Sequence, residues 1–149
     1  MPLRARRSRV QRARTACSMA TWEHVRRYAL ALPEVCEQTS HGRPAWAVNG
    51  RTFAWERPLR ASDMRALGDA APDGPILGMR TADLEMKEAV LQSDPLVFFT
   101  IPHFDGYAAV LVQLRKIGAR VLKRLLEDAW LARAPERAAR AYLHAKSKT

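Results

Sequence analysis

The sequence holds only two cysteines, Cys17 and Cys36, far apart and outside any Cys/His cluster. That excludes a disulfide framework and a structural zinc site, and it fits a reducing, cytoplasmic setting. No apolar run approaches the roughly 20 residues of a membrane span, and the charged start of the chain lacks the hydrophobic region of a secretion signal. Neither a membrane partner nor export is expected. Glycine-rich phosphate loops, HExxH, paired carboxylates at a usable spacing and a positioned Ser or Cys nucleophile are also missing. These absences argue against an enzyme, and no metal or cofactor is expected.

Acidic residues are scarce as well: 15 Asp and Glu stand against 25 Lys and Arg, a formal charge of +10. Where that charge sits limits what it implies. Residues 1–19 carry +6, residues 136–149 carry +3, and residues 20–135 keep +1. The basicity belongs to the ends, so it is no warrant that the folded body binds phosphate. Residues 1–19 have little to bury and read as a disordered Arg-rich leader. A basic arm and an upstream start codon misassigned to the gene both account for it. One domain is expected over 20–137, followed by a basic tail over 138–149, with Glu136–His144 compatible with a last helix.

What is present begins with helix signals. Thr21 is placed to cap a helix from Trp22 to about Leu32, with Trp22, Val25, Ala29 and Leu32 on one face. Val121, Leu122, Leu125, Leu126, Ala129 and Trp130 form a wide apolar stripe on a second, longer helix. Thr81 is read as the cap of a third, Ala82–Gln92, and a turn of helix is read around Ser62–Leu67.

Strand signals come in pairs. Asn49-Gly50 between two alternating runs marks a tight hairpin over Ala45–Glu56, because both central residues must take positive φ. A two-residue loop pairs Trp46 with Phe53 and Ala45 with Ala54. It thereby puts Trp46, Val48, Phe53 and Trp55 on one face and leaves Ala45, Ala47, Thr52 and Ala54 as an open face of small side chains. A second hairpin is read over Leu96–Leu114, two β-rich runs around the turn formers Pro102–Gly106, and it looks like the centre of the domain. Glu34–Ser40 reads as a polar connection and Ile76–Arg80 as a lone strand. The resulting fold class is α+β: a two-layer antiparallel sheet of about five strands in two hairpins, with helices packed on one face.

That order, with Thr39-Ser40-His41-Gly42-Arg43-Pro44-Ala45-Trp46, Arg51-Thr52-Phe53-Ala54-Trp55, Phe98 to Tyr107 and Leu126-Glu127-Asp128-Ala129-Trp130, resembles the MmcQ/YjbR family over about Thr21 to Arg137. The resemblance implies a CyaY-like fold and the description attached to the family, DNA binding through a double wing. On this sequence the wings would be Ala45–Glu56 and Leu96–Leu114.

Two readings of the surface follow. For DNA, cations near the wings are the candidates: Arg43, Arg51 and Arg57 around the first, and Arg115, Lys116, Arg120, Lys123 and Arg124 after the second. For the alternative, a protein- or small-ligand-interaction domain with no nucleic-acid role, the candidates are the open sheet face and the two histidine turns: His41, Trp55, His103, Asp105 and Tyr107. A partner strand or a second copy at a sheet edge is a further expectation.

Overall fold

The computed structural model describes residues 19–148; the expected leader, Cys17 included, falls almost wholly outside them. Helix α1 (Trp22–Leu30) is capped as expected, the Thr21 hydroxyl accepting from the His24 backbone N–H at 3.3 Å, and Val25 and Ala29 are buried beneath it. Strands β1 (Val35–Ser40), β2 (Arg43–Val48) and β3 (Arg51–Glu56) follow as a meander, then α2 (Ala61–Leu67) and β4 (Ile76–Arg80). Helix α3 (Leu84–Ser93) leads to the two-residue β5 (Phe98–Phe99), to β6 (Ala109–Gln113), and to α4 (Ala119–Arg133) and α5 (Glu136–Ser147). The six strands make one antiparallel sheet in the order β1-β2-β3-β4-β6-β5.

The main core lies on one face, where α1, α3, α4 and α5 cover Trp46, Phe53, Leu77, Met79, Val110 and Val112. Trp130 anchors it, fully buried and donating from Nε1 to the Pro33 carbonyl at 3.0 Å. Val121, expected in the apolar stripe of α4, is 52% exposed instead: the stripe is narrower than the pattern suggested because the sheet meets only the Leu122, Leu126 and Ala129 side. Helix α5 runs into the segment expected as a tail; Ala138 is buried and Tyr142 packs on Trp130 with centroids 5.1 Å apart. Burial, reinforced by Glu127 accepting its hydroxyl, pushes the Tyr142 phenol up to about 12.

Three expectations change. First, Glu34–Ser40 contains a strand, β1, rather than a connection. Its side chains are almost all exposed, so no apolar alternation announces it. Its signal was the turn that follows: His41 and Gly42 both take positive φ, 52° and 76°, the geometry Asn49 and Gly50 adopt in the next hairpin. Second, Leu96–Ile101 yields only Phe98–Phe99 as strand, at the sheet edge, because Pro102 opens a 3-10 turn; β3 and β4 are the middle pair of the sheet. Third, Asp83 and not Thr81 caps α3, accepting from the Met86 N–H at 2.8 Å.

A fourth difference builds the site. Val48 pairs with Arg51 and Ala47 with Thr52, as a two-residue loop requires, but Trp46 then pairs with Ala54 and Ala45 with Trp55. Phe53 is the extra residue of a β-bulge. Beyond it every side chain of β3 changes face, so Ala54 enters the main core and Trp55 crosses to the outer face. The expected open face of small residues is therefore absent: Ala45 and Ala47 are buried, and Trp55, the cross-strand partner of Ala45, joins them on that face.

Candidate functional site

On that outer face a second, smaller cluster forms from Ile76, Ile101, Phe104, Ala109 and Leu111, with Trp55, Leu59, Leu67 and Phe99 packed against it. Above it opens a cleft of about 720 Å3 lined by Trp55, Phe104, Tyr107 and Leu59, by His41 and His103, and by Ser40, Arg43, Thr52, Glu56, Arg57, Pro58 and Arg60. Four of the five residues of the ligand-binding alternative, His41, Trp55, His103 and Tyr107, thus meet around one concavity. They come from the β1–β2 turn, the bulged strand β3 and the β5–β6 connection.

The aromatic wall is ordered by edge-on contacts. Phe104 sits 6.1 Å from Trp55 and 5.6 Å from Tyr107, both at about 60°, arrangements that the ring quadrupoles favour. Trp55 lies so close over β4 that a Cβ on its cross-strand neighbour Gly78 would fall 2.5 Å from the indole. Glycine is required there by the ring and not by the backbone. Gly78→Ala should cost about 1–3 kcal/mol and tilt Trp55 out of the cleft. Urea unfolding, with the near-ultraviolet circular dichroism of the native state, checks this, and an unchanged aromatic signal would refute it.

The floor is ionic. Arg57 and Asp63 form an ion pair at 3.1 Å with side chains only 9% and 5% exposed, and Arg57 also donates to the Pro58 carbonyl at 2.6 Å. Its guanidinium lies 5.7 Å from the Phe104 ring centroid. Burial pushes the Asp63 carboxyl up, but the Arg60 N–H at 2.9 Å and the Arg57 guanidinium together outweigh it, holding Asp63 below its ordinary value. At the rim Arg43 pairs with Glu56 at 3.0 Å, and Arg60 is exposed.

The far wall hangs on a lysine that the sequence reading missed. Lys87 is buried, and its ammonium donates to the carbonyls of Phe104 at 2.6 Å and Tyr107 at 2.8 Å. Burial lowers its pKa, and the Asp105 carboxylate opposes that shift. Asp105 does not line the cleft; its charge acts on this lysine instead. A charged residue three positions before Val90, on the inward side of a helix, was the available signal.

The DNA candidates are dispersed. Arg43 and Arg57 are neutralised by Glu56 and Asp63. Arg51 starts β3 near Arg133, at the far end of α4. Arg115, Lys116, Arg120, Lys123 and Arg124 are exposed around the start of α4, in the helical layer, where Lys123 and Arg27 flank the Tyr28 ring at 5.8 and 5.3 Å. The cations thus belong to both faces of the sheet.

Among the described residues no group of three or more His, Cys, Asp or Glu is placed to hold a metal ion, and no helix is long and apolar enough to cross a membrane.

A family model described as YjbR matches residues 30–132. Uncharacterized protein Mb2600 of Mycobacterium bovis and uncharacterized protein Rv2570 of Mycobacterium tuberculosis are each 46% identical to this chain over 128 residues, 84% of this chain and 97% of theirs. The crystal structure of Deinococcus radiodurans protein DR2400, a DUF419 domain, superposes with a TM-score of 0.57 at 22% identity, covering 76% of this chain and 78% of that one. That likeness carries the fold alone.

Proposed function

This chain belongs to the YjbR family, and from that premise we propose that it is a non-catalytic binding protein of the cytoplasm whose outer-face cleft holds a small ligand with a planar ring. The observation carrying this reading is the bulge at Phe53, which turns Trp55 onto the outer face to meet Phe104, Tyr107 and the two histidine turns. A bulge that re-aims one aromatic side chain into a concavity is a common device of binding sites. Trp55 and Tyr107 offer aromatic surface, while His41, His103 and the exposed Arg60 offer polar contacts at the rim. The test is a nuclear magnetic resonance screen with planar heteroaromatic amides and carboxylates. Binders should perturb the Trp55 indole and the His41 and His103 rings, and Trp55→Ala should weaken them about tenfold. Binders whose shifts lie away from these rings, or that ignore Trp55→Ala, would defeat the reading.

DNA binding is the second reading, and one observation favours it: five exposed cations, Arg115, Lys116, Arg120, Lys123 and Arg124, gather at the start of α4. The contact surface would then be the helical layer and not the tips of the hairpins. Each cation that neutralises a phosphate steepens the salt dependence of duplex affinity by about one power. Replacing Arg115, Lys116 and Arg120 by Ala in a chain without residues 1–18 should therefore flatten that dependence. An unchanged slope would remove this reading.

A further inference from the structure

A second cavity, of about 310 Å3, lies between α3 and α4 over the main-core face of the sheet. It lies on the other face of the sheet from the cleft, and the two meet at one contact, Arg80 against the cleft residue Tyr107. Its walls are apolar: Met79, Met86, Val90, Val110, Leu125 and Leu131. Met86 is 50% exposed and so forms a flexible lip, the kind of side chain that adapts to an apolar guest.

The end of this cavity is cationic. Arg80 lines it, and its guanidinium lies 4.4 Å from the Tyr107 ring centroid. Arg133 ends α4 just after the lining residues Leu131 and Ala132, and Arg51 starts β3, the strand that pairs with β4. Arg80 and Arg133 each keep a buried Nε with no hydrogen-bond partner. None of the three arginines is paired with a carboxylate among the described residues. The charges feel one another, since burial and then the nearby Arg80 and Arg51 lower the Arg133 pKa. Asp128 lines the cavity too, but its neighbours in charge are Glu127, Arg124 and Lys146, and burial pushes its carboxyl up. Cationic side chains at one end of an apolar cavity, without a carboxylate partner, are matched by an oxyanion, which accepts from their N–H groups.

We propose that this cavity binds an amphiphilic carboxylate, its apolar chain between α3 and α4 and its head group shared by Arg80, Arg133 and Arg51. The volume is at the lower end of the range of about 300–1,000 Å3 that small-molecule sites occupy, so the chain is of medium length. A chain without charge leaves the arginines unmatched, and a charge without a chain leaves the apolar walls wet.

The experiment uses decanoate, decanol, acetate and inorganic phosphate as probes on the full chain, below the concentrations at which decanoate aggregates, at constant ionic strength. Decanoate should shift the methyl resonances of Met86, Val90, Leu125 and Ala132. It should bind at least about tenfold more tightly than decanol or acetate, the worth of one charge-assisted contact. Arg51→Gln, at an exposed position outside the core, should remove about tenfold of the decanoate affinity and leave decanol unchanged. Ala132→Leu, which narrows the cavity, should weaken both. Phosphate binding as tightly as decanoate would mean a simple anion site and overturn the proposal. So would equal affinities for decanoate and decanol, an Arg51→Gln variant that binds decanoate normally, or shifts confined to the outer-face cleft.

Discussion

Asp63→Ala should lower stability by about 3–5 kcal/mol, because it strands the Arg57 guanidinium in a site where both partners are buried. It also removes the carboxylate that accepts from the Arg60 N–H at the start of α2. The comparison that isolates the stranded charge is the double variant Arg57→Met/Asp63→Leu. Replacing both members of a buried pair by apolar residues is often neutral, so the double variant should recover most of what the single one loses. Urea unfolding measures both, and a double variant as unstable as Asp63→Ala would show that the loss comes from helix capping and packing. The pH dependence has a definite sign. Asp63 titrates below its ordinary 3.8 in the fold, so its contribution is complete above that value and is lost as pH falls through the lower folded value. Wild type and variant should therefore draw together only in strongly acidic solution.

Lys87→Met is the second large effect, about 3 kcal/mol. Methionine fills similar space but leaves the Phe104 and Tyr107 carbonyls without their charged donor, and hydrogen bonds to charged groups are worth about 1.5–3 kcal/mol each. Burial of the methionine returns part of the loss. The loop from Pro102 to Tyr107 should loosen first, since the lysine ties it to α3. Hydrogen exchange should accelerate at Phe104 and Tyr107, whose N–H groups donate to Ile101 and Phe104 across the same turn. A loss below about 1 kcal/mol with unchanged exchange would mean that the turn holds itself. Burial keeps the Lys87 pKa below 10.5, so the unfolded chain holds the proton more tightly. Wild-type stability attributable to this group rises as pH climbs through the folded value towards 10.5, and the gap to the variant should widen there.

These two residues explain why the cleft was only half legible. His41, Trp55, His103 and Tyr107 were readable as candidates because turn histidines and strand aromatics are local features. Arg57 and Lys87, which hold the floor and the wall, look in sequence like ordinary solvated charges. Arg57 is for that reason a DNA candidate in sequence, and only its burial against Asp63 gives it a structural role. Asp105, a candidate for the site, lies outside the cleft lining and acts on Lys87 through its charge.

What the chain alone determined is whatever depends on neighbours a few residues away. The Thr21 cap, the apolar rows of α1 and α4, the Asn49-Gly50 reversal and the antiparallel α+β class all follow from backbone preference and helical or strand period. Packing across the sheet decided the remainder. The bulge at Phe53 lets Phe53 and Ala54 both enter the main core and sends Trp55 to the other side, a choice set by α4 on one face and Gly78 on the other. No local rule contains it, because a strand's period fixes alternation only while its register with the neighbouring strand is unbroken.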